Sequence, residues 1–503
     1  MNAPCPMMRA VTNSQKKRLR IGAGVFGVLF VMLLTVPAPT PAAPPPASGE
    51  PFVWGQDDLF RALEARFDEA RGEGCERNAP ARETGLADLE AGIQWLATGG
   101  RAPDDPLFDE LEHHLFAVAP LVAACPVAAP AFTDAVSRLR TALKRQSRSW
   151  DVSTAVARRR VYRLLYGSRT AVEEVLLQGD PADTAALIPG TDEPSATPSV
   201  QMENVDLHSG DILVSRGGAP TSALIARGND YPGNFSHIAF VHVSEEGTVS
   251  IIEAHIEVGV VVSPVETYLA DKKLRVLLLR LAHDLPAIEA DPMLPHRAAT
   301  RALEEARTHH VPYDFAMNYD EPSKMFCSEV ASAPYADLDV HLWEGLTSMS
   351  GTGVASWLAS FGVERFETHG PSDLEYDPQV VVVAEWRDPE TLFDDHVDNA
   401  ILDAMLEGAD RGDEMEYSYP MLPVARLAKA YSATLNLFGA VGPVPEGMSA
   451  TTALRAEWLS ARHGEVKVGI DRRVAAFREE HGYTPPYWDL LAMARESLAE
   501  VQD

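Results

Sequence analysis

With 503 residues the chain is too long for one ordinary core, so two or three domains follow, each large enough to bury its own apolar surface. Apolar residues at 46% against 23% charged exclude a disordered chain. The formal charge of −30 excludes nucleic acid as the main partner and argues against an anionic membrane surface for the soluble part.

The chain opens on a cationic stretch (Arg9, Lys16, Lys17, Arg18, Arg20) and an uncharged apolar run, Ile21 to Val36, before a Pro- and Ala-rich segment. That order is the pattern of an export signal, with cleavage after Ala42 as the best small-residue site and a short uncleaved membrane tether through residues 21–36 as the alternative. Residues 1–50 are therefore expected to be signal or anchor plus an extended spacer, and the protein periplasmic or tethered facing the periplasm. From 51 to 180 the pattern is helical. Leu59, Leu63 and Phe67 recur at four-residue spacing behind the capping pair Asp57-Asp58, and further helices are expected over Gly85 to Thr98, Pro106 to Ala124, and Ala131 to Leu177 with an interruption near Ser147 to Ser153. Residues 181–204, rich in Pro, Thr, Asp and Ala, are expected to be a linker. In an oxidising compartment Cys75 and Cys125 can pair within the helical bundle and leave Cys327 unpaired, but sequence separation does not show whether they come within bridging range.

At Val205 the period changes. Ile212 to Ser215, His237 to Val243, Val249 to Ala254, Gly259 to Ser263, Val276 to Leu281 and Val380 to Trp386 read as short strands, with one helix over Leu294 to His310. Strands with few interposed helices predict an α+β domain, 205–390, with a mostly antiparallel sheet. Helical patterning returns over 391–503, clearest at Leu392 to Gly408, Met421 to Phe438, Thr451 to His463 and Arg472 to Glu480. No metal site is expected: the adjacent His113-His114 do not face one ligand, and Asp394, Asp395 and Asp398 lack the spacing of a calcium loop.

The chemistry-bearing residues sit in the strand-rich part. Gly210-Asp211, Ser236-His237, Ile252-Glu253-Ala254, Tyr313-Asp314 and Cys327-Ser328-Glu329 supply His, Glu and Cys in that order. With these contexts the segment from Val205 to Asp388 resembles the YaeF/YiiX family of permuted papain-like hydrolases, a circularly rearranged branch of the NlpC-type cysteine amidases and peptidases. In that branch the strand bearing His precedes the helix bearing Cys. The resemblance implies a permuted papain-like domain between helical flanks, with Cys327 as nucleophile at a helix start, His237 as its base and Glu253 as the residue orienting the imidazole. A helix N-terminus beside an imidazole stabilises a thiolate. His255 shares the Glu253 face and is the competing third residue, while Pro334 should break or kink the Cys-bearing helix after about two turns. The backbone N–H of Cys327 is the first candidate for the oxyanion, and the Tyr313 hydroxyl is suggested by the family's aromatic residue.

The expected activity is thiol hydrolysis of an amide through an acyl-enzyme, without a cofactor, on an amide- or ester-containing substrate of the cell envelope. Two alternatives stay open on the sequence: a lipid-directed thiol esterase or acyltransferase, and a non-catalytic envelope scaffold. Thiol and imidazole held far apart would favour the scaffold.

Overall fold

A computed structural model describes residues 32–36, 46–54, 57–202 and 204–502. Most of the expected export segment, and the cleavage site after Ala42, lie outside the described residues.

The N-terminal region is a bundle of α1 (Leu63–Glu73), α2 (Cys75–Leu96), α3 (Pro106–Ala124), α4 (Ala129–Ser147), α5 (Ala155–Val161) and α6 (Gly167–Leu177). Local chemistry sets their starts. Asp57 caps the short turn before α1 by accepting from the Phe60 N–H at 2.9 Å, and Asp105 does the same for Leu107 ahead of Pro106. The centre is α3, whose Phe108, Leu111, Leu115, Val118 and Val122 repeat at three and four residues and are fully buried. They pack on Leu89 and Ile93 of α2 and on Phe132, Leu139 and Leu143 of α4. A Cys75–Cys125 disulfide joins the start of α2 to the end of α3.

The strands are β1 (Leu187–Pro189), β2 (Ser199–Met202), β3 (Val205–His208), β4 (Ile212–Gly217), β5 (His237–Val243), β6 (Val249–His255), β7 (Gly259–Pro264), β8 (Lys273–Leu281), β9 (Thr347–Ser348), β10 (Glu367–Thr368) and β11 (Val380–Trp386). Seven form one sheet in the order β1-β11-β8-β4-β5-β6-β7, every pairing antiparallel. After β4 comes α7 (Pro220–Arg227), and one face of the sheet (Ile212, Val214, Ile238, Phe240, Ile252) packs on α8 (Leu294–Thr308) and α9 (Glu329–Ala336). The domain is α+β, as expected.

The segment expected as a linker, 181–204, is built into the fold instead. Leu187 to Pro189 pair with Trp386 to Ala384 at the sheet edge, Ser199 to Met202 form a hairpin with β3, and Glu193 is buried, accepting the His283 backbone N–H at 2.7 Å. A three-residue strand is too short to show an alternation in sequence, and its partner β11 lies almost two hundred residues on; only the tertiary pairing makes it a strand. The Gly210-Asp211 motif is architectural. Gly210 has φ of +97°, and a Cβ there would meet Pro295 at 2.3 Å. Asp211 is buried and takes both Nε and an Nη of Arg280 at 2.8 Å, locking the start of β4 to β8.

C-terminal to the sheet run α10 (Pro389–Asp410), α11 (Leu422–Asn436), α12 (Ala450–His481) and α13 (Tyr487–Gln502). The two helices expected over 451–463 and 472–480 are one helix, α12, and α13 carried no expectation. Gly469 interrupts the apolar pattern because α13 crosses there: a Cβ would sit 2.7 Å from Ser497 Oγ.

Candidate active site

His237 is the first residue of β5, and Ser215 of β4 is its register partner. Ala239, two residues on and on the same face, stands opposite Glu253 of β6. That register puts the carboxylate diagonally beside the imidazole, and the small Ala239 side chain leaves it room. His237 Nε2 lies 3.0 Å from Glu253 Oε2, a hydrogen bond assigned with the ring nitrogen donating. The other oxygen, Oε1, is 3.1 Å from His255 Nε2. The sequence left Glu253 and His255 as competitors; in the structure the carboxylate stands between both imidazoles. His237, Glu253 and His255 have ligand atoms within 4.8 Å of one another, and we assign these distances to the two carboxylate–imidazole contacts.

Cys327 reaches the same point from the other side. The chain enters along Tyr313 and Met325, paired as a parallel bridge with Asp314 N–H donating to Met325 O and Met325 N–H to Pro312 O, both at 3.0 Å. Asp314 turns the intervening loop by accepting the N–H groups of Ala316 and Asn318 at 3.0 and 2.7 Å. Cys327 follows immediately, two residues ahead of α9. That helix contains Pro334 and ends at Ala336 after eight residues, in line with the two turns expected from the proline. Phe326 and Val330 anchor the segment in the core, and Cys327 is 4% exposed, with Sγ 3.9 Å from the Ser236 carbonyl oxygen. The Cys327 thiol also acts on His237, the residue after Ser236, and favours the protonated form of its imidazole. With Nε2 engaged by Glu253, Nδ1 is the ring nitrogen left to exchange a proton with a thiol.

The electrostatics follow from these contacts. Burial opposes a charge on His237, but the bonds to Cys327 and Glu253 outweigh it and push the imidazole up to about 9. Burial likewise opposes a charged Glu253, and the two imidazoles outweigh it, holding the carboxyl down at about 2. The imidazolium–carboxylate pair is therefore the resting state at neutral pH. No deviation of this kind marked Glu329 in the sequence. Its carboxyl is 3% exposed, accepts the Phe326 N–H at 2.9 Å, and is pushed up to about 8 by burial. It clamps the backbone on either side of Cys327.

Tyr313 is buried, packs edge-on against Phe315 with centroids 5.0 Å apart, and has its phenol raised by burial and by the nearby Cys327. The structure brings it to the site but pairs its hydroxyl with no acceptor among the described residues. The Cys327 backbone N–H also donates to no protein acceptor there, which leaves it free for a substrate oxygen. A cavity of about 820 Å³, lined by Trp54, Phe116, Tyr166, Leu406 and Trp488, lies between the helical flanks and contains none of the residues grouped around Cys327. Chemistry, not volume, picks out the site.

An antiparallel sheet carrying the histidine early and a cysteine late, ahead of a helix packed on that sheet, defines a permuted papain-like domain. Residues 206–383 match the family of permuted papain-like amidase enzymes, YaeF/YiiX, C92 family. That kinship implies a thiol hydrolase. The match spans the sheet from β3 into β11 and covers neither helical flank. No curated protein and no solved structure matches the chain.

Proposed function

We propose that the protein is an exported thiol hydrolase that cleaves an amide bond of a cell-envelope substrate, with Cys327, His237 and Glu253 as its triad. The observation that carries this reading is a buried Cys327 thiol held at the Ser236 carbonyl, one residue before a His237 imidazole that is bonded to the buried Glu253 carboxylate. In the reactive form the thiol proton already sits on His237, so that a Cys327 thiolate stands beside the imidazolium. The thiolate attacks the carbonyl carbon, and the developing oxyanion meets the Cys327 N–H, with the Tyr313 hydroxyl as the second candidate donor. His237 then gives its proton to the departing amine, leaving an acyl-thioester. It next draws a proton from water, which attacks the thioester and frees the acid and the thiol. Glu253 keeps the tautomer and supports the cation throughout. The placement of Cys327 Sγ 3.9 Å from the carbonyl of Ser236, the residue before His237, speaks against the scaffold reading, which needs thiol and imidazole far apart.

The test is the pH dependence of Cys327 alkylation in wild type and His237→Ala, with Cys327→Ser as the blank. Rapid labelling at about pH 6 that is lost in His237→Ala is the expected result. Labelling that rises only near the free-thiol pKa of about 8.5, unchanged by the substitution, sinks the catalytic reading. With activation established, hydrolysis of envelope peptides against acyl lipids separates the amidase from the esterase.

A further inference from the structure

The face presented by α11 and the turn after it is unlike the rest of the molecule. Val424, Leu427 and Tyr431 recur at helical spacing and are exposed, and in the turn that follows Leu437 and Phe438 are exposed to 83% and 82%. The inner side of α11 buries only Leu422 and Ser432. Monomeric proteins seldom leave such a contiguous apolar strip in water, and where they do it marks a contact surface.

Two further observations say what covers it. Between Glu416 and Glu446 there is no Asp or Glu at all, in a chain that carries 73 acidic residues and a formal charge of −30; Arg426 and Lys429 are the charged residues in that stretch. An acid-free, weakly basic face is what an acidic protein needs to approach a phospholipid surface, which repels the remainder. Residues 32–36, the described end of the N-terminal apolar run, also lie here. Arg426 donates to Leu33 O and the Tyr419 hydroxyl to Thr35 O, both at 2.6 Å, so the exposed Leu33 and Val36 lie against the same helix.

We propose that α11 lies in the surface of a phospholipid bilayer, with Val424, Leu427, Tyr431 and Phe438 sunk toward the acyl chains and the exposed Leu33 and Val36 at the same surface. The geometry is that of an interfacial amphipathic helix. Both basic groups are already engaged, Arg426 with Leu33 O and Lys429 with the carbonyls of Pro445 and Glu446. Apolar burial therefore supplies the binding, and added salt weakens it little. The inference does not depend on the chemistry at Cys327.

The experiment is co-sedimentation of the full chain with vesicles of phosphatidylethanolamine and phosphatidylglycerol, at low and high salt. The Leu427→Glu/Tyr431→Glu/Phe438→Glu variant should lose about tenfold or more of its partition, with an unchanged melting curve because the three residues make no core contacts. Ala430→Trp should increase partition, which keeps the test decisive if the triple variant folds poorly. Equal binding by wild type and the triple variant overturns the proposal and assigns any attachment to residues 21–36 alone. A wild-type dimer in sedimentation that the triple variant abolishes, without vesicle binding, overturns it in favour of a second copy as the partner.

Discussion

At the scale of single residues, the bonds around His237 make definite statements about pH. A histidine raised in the folded state contributes stability that is complete below the unfolded value of about 6.5 and is lost as pH rises through about 9. Glu253, depressed to about 2, contributes above its unfolded value of about 4.3 and loses that contribution as pH falls through about 2. The pair is fully stabilising only between about pH 4.3 and 6.5, and the imidazolium persists to about 9. Glu253→Gln removes one support of that cation, so the alkaline limb of Cys327 alkylation should move down by about one unit or more, read from the labelling rate across pH. His255→Gln touches only the far oxygen and should move the limb less. An equal shift from both variants would mean that Glu253 has no privileged hold on His237. Glu329 runs the opposite way: its carboxyl is raised to about 8, so the folded state resists its ionisation. Below the unfolded value of about 4.3 the group costs nothing, and the penalty grows as pH rises toward 8. Glu329→Gln, which keeps an acceptor for the Phe326 N–H, should therefore raise the melting temperature near pH 8 and leave it unchanged near pH 4. Thermal scans at the two pH values decide it.

At the scale of elements, the Cys75–Cys125 bond closes a loop of about 50 residues around α2 and α3. Restricting the unfolded chain over such a loop is worth about 3–4 kcal/mol. Reduction, or Cys75→Ser with Cys125→Ser, should lower the denaturation midpoint by that order, while Cys327 labelling of the folded protein stays as it was. A midpoint unmoved by reduction would show that the bundle is held by the α3 core alone. This bond shows where sequence is informative and where it stops: two cysteines in one helical region made a pair conceivable, but only the packing of α3 on α2 brings the Cα atoms to 5.4 Å. The strands around the site were legible because they are β-branched or apolar runs bounded by turn residues, as in His237 to Val243. So was the order of His, Glu and Cys. β1 was not, because three residues carry no period; α13 was not, because its burial is decided by α10 and α12. The three-way contact of Glu253 with His237 and His255 needed the β5–β6 register, which places Ala239 opposite Glu253, and no local pattern encodes a register.

At the scale of the whole molecule, the three regions are joined by charge buried where their elements cross. Arg169 of α6 bonds Glu173 and Glu375 at 2.7 Å; Arg275 of β8 bonds Glu173 at 2.6 Å and Asp395 of α10 at 2.7 Å; Arg216 of β4 stands 3.1 Å from the other oxygen of Asp395. Glu173 and Asp395 have no exposed side-chain surface, and although burial opposes its charge, Arg275 and Arg169 hold the Glu173 carboxyl well below the usual carboxylate range. Removing one member leaves the others uncompensated in the interior, a loss of about 3–5 kcal/mol. Glu173→Ala should accordingly destabilise the protein by that amount in a denaturant titration. Because the network spans N-terminal bundle, sheet and C-terminal helix, the change should displace one cooperative transition. The site should feel it as well. Arg169 also donates to Asn234 Oδ1 at 3.1 Å, three residues before His237, and Arg216 follows Ser215, the register partner of His237. Loss of Glu173 frees Arg169 and Arg275, the register partner of Arg216, to move and loosens the start of β5, so Cys327 should label more slowly at about pH 6 even where the variant is fully folded. Two separate transitions, with only the first displaced and labelling unchanged, would show instead that the helical flanks are independent of the catalytic sheet.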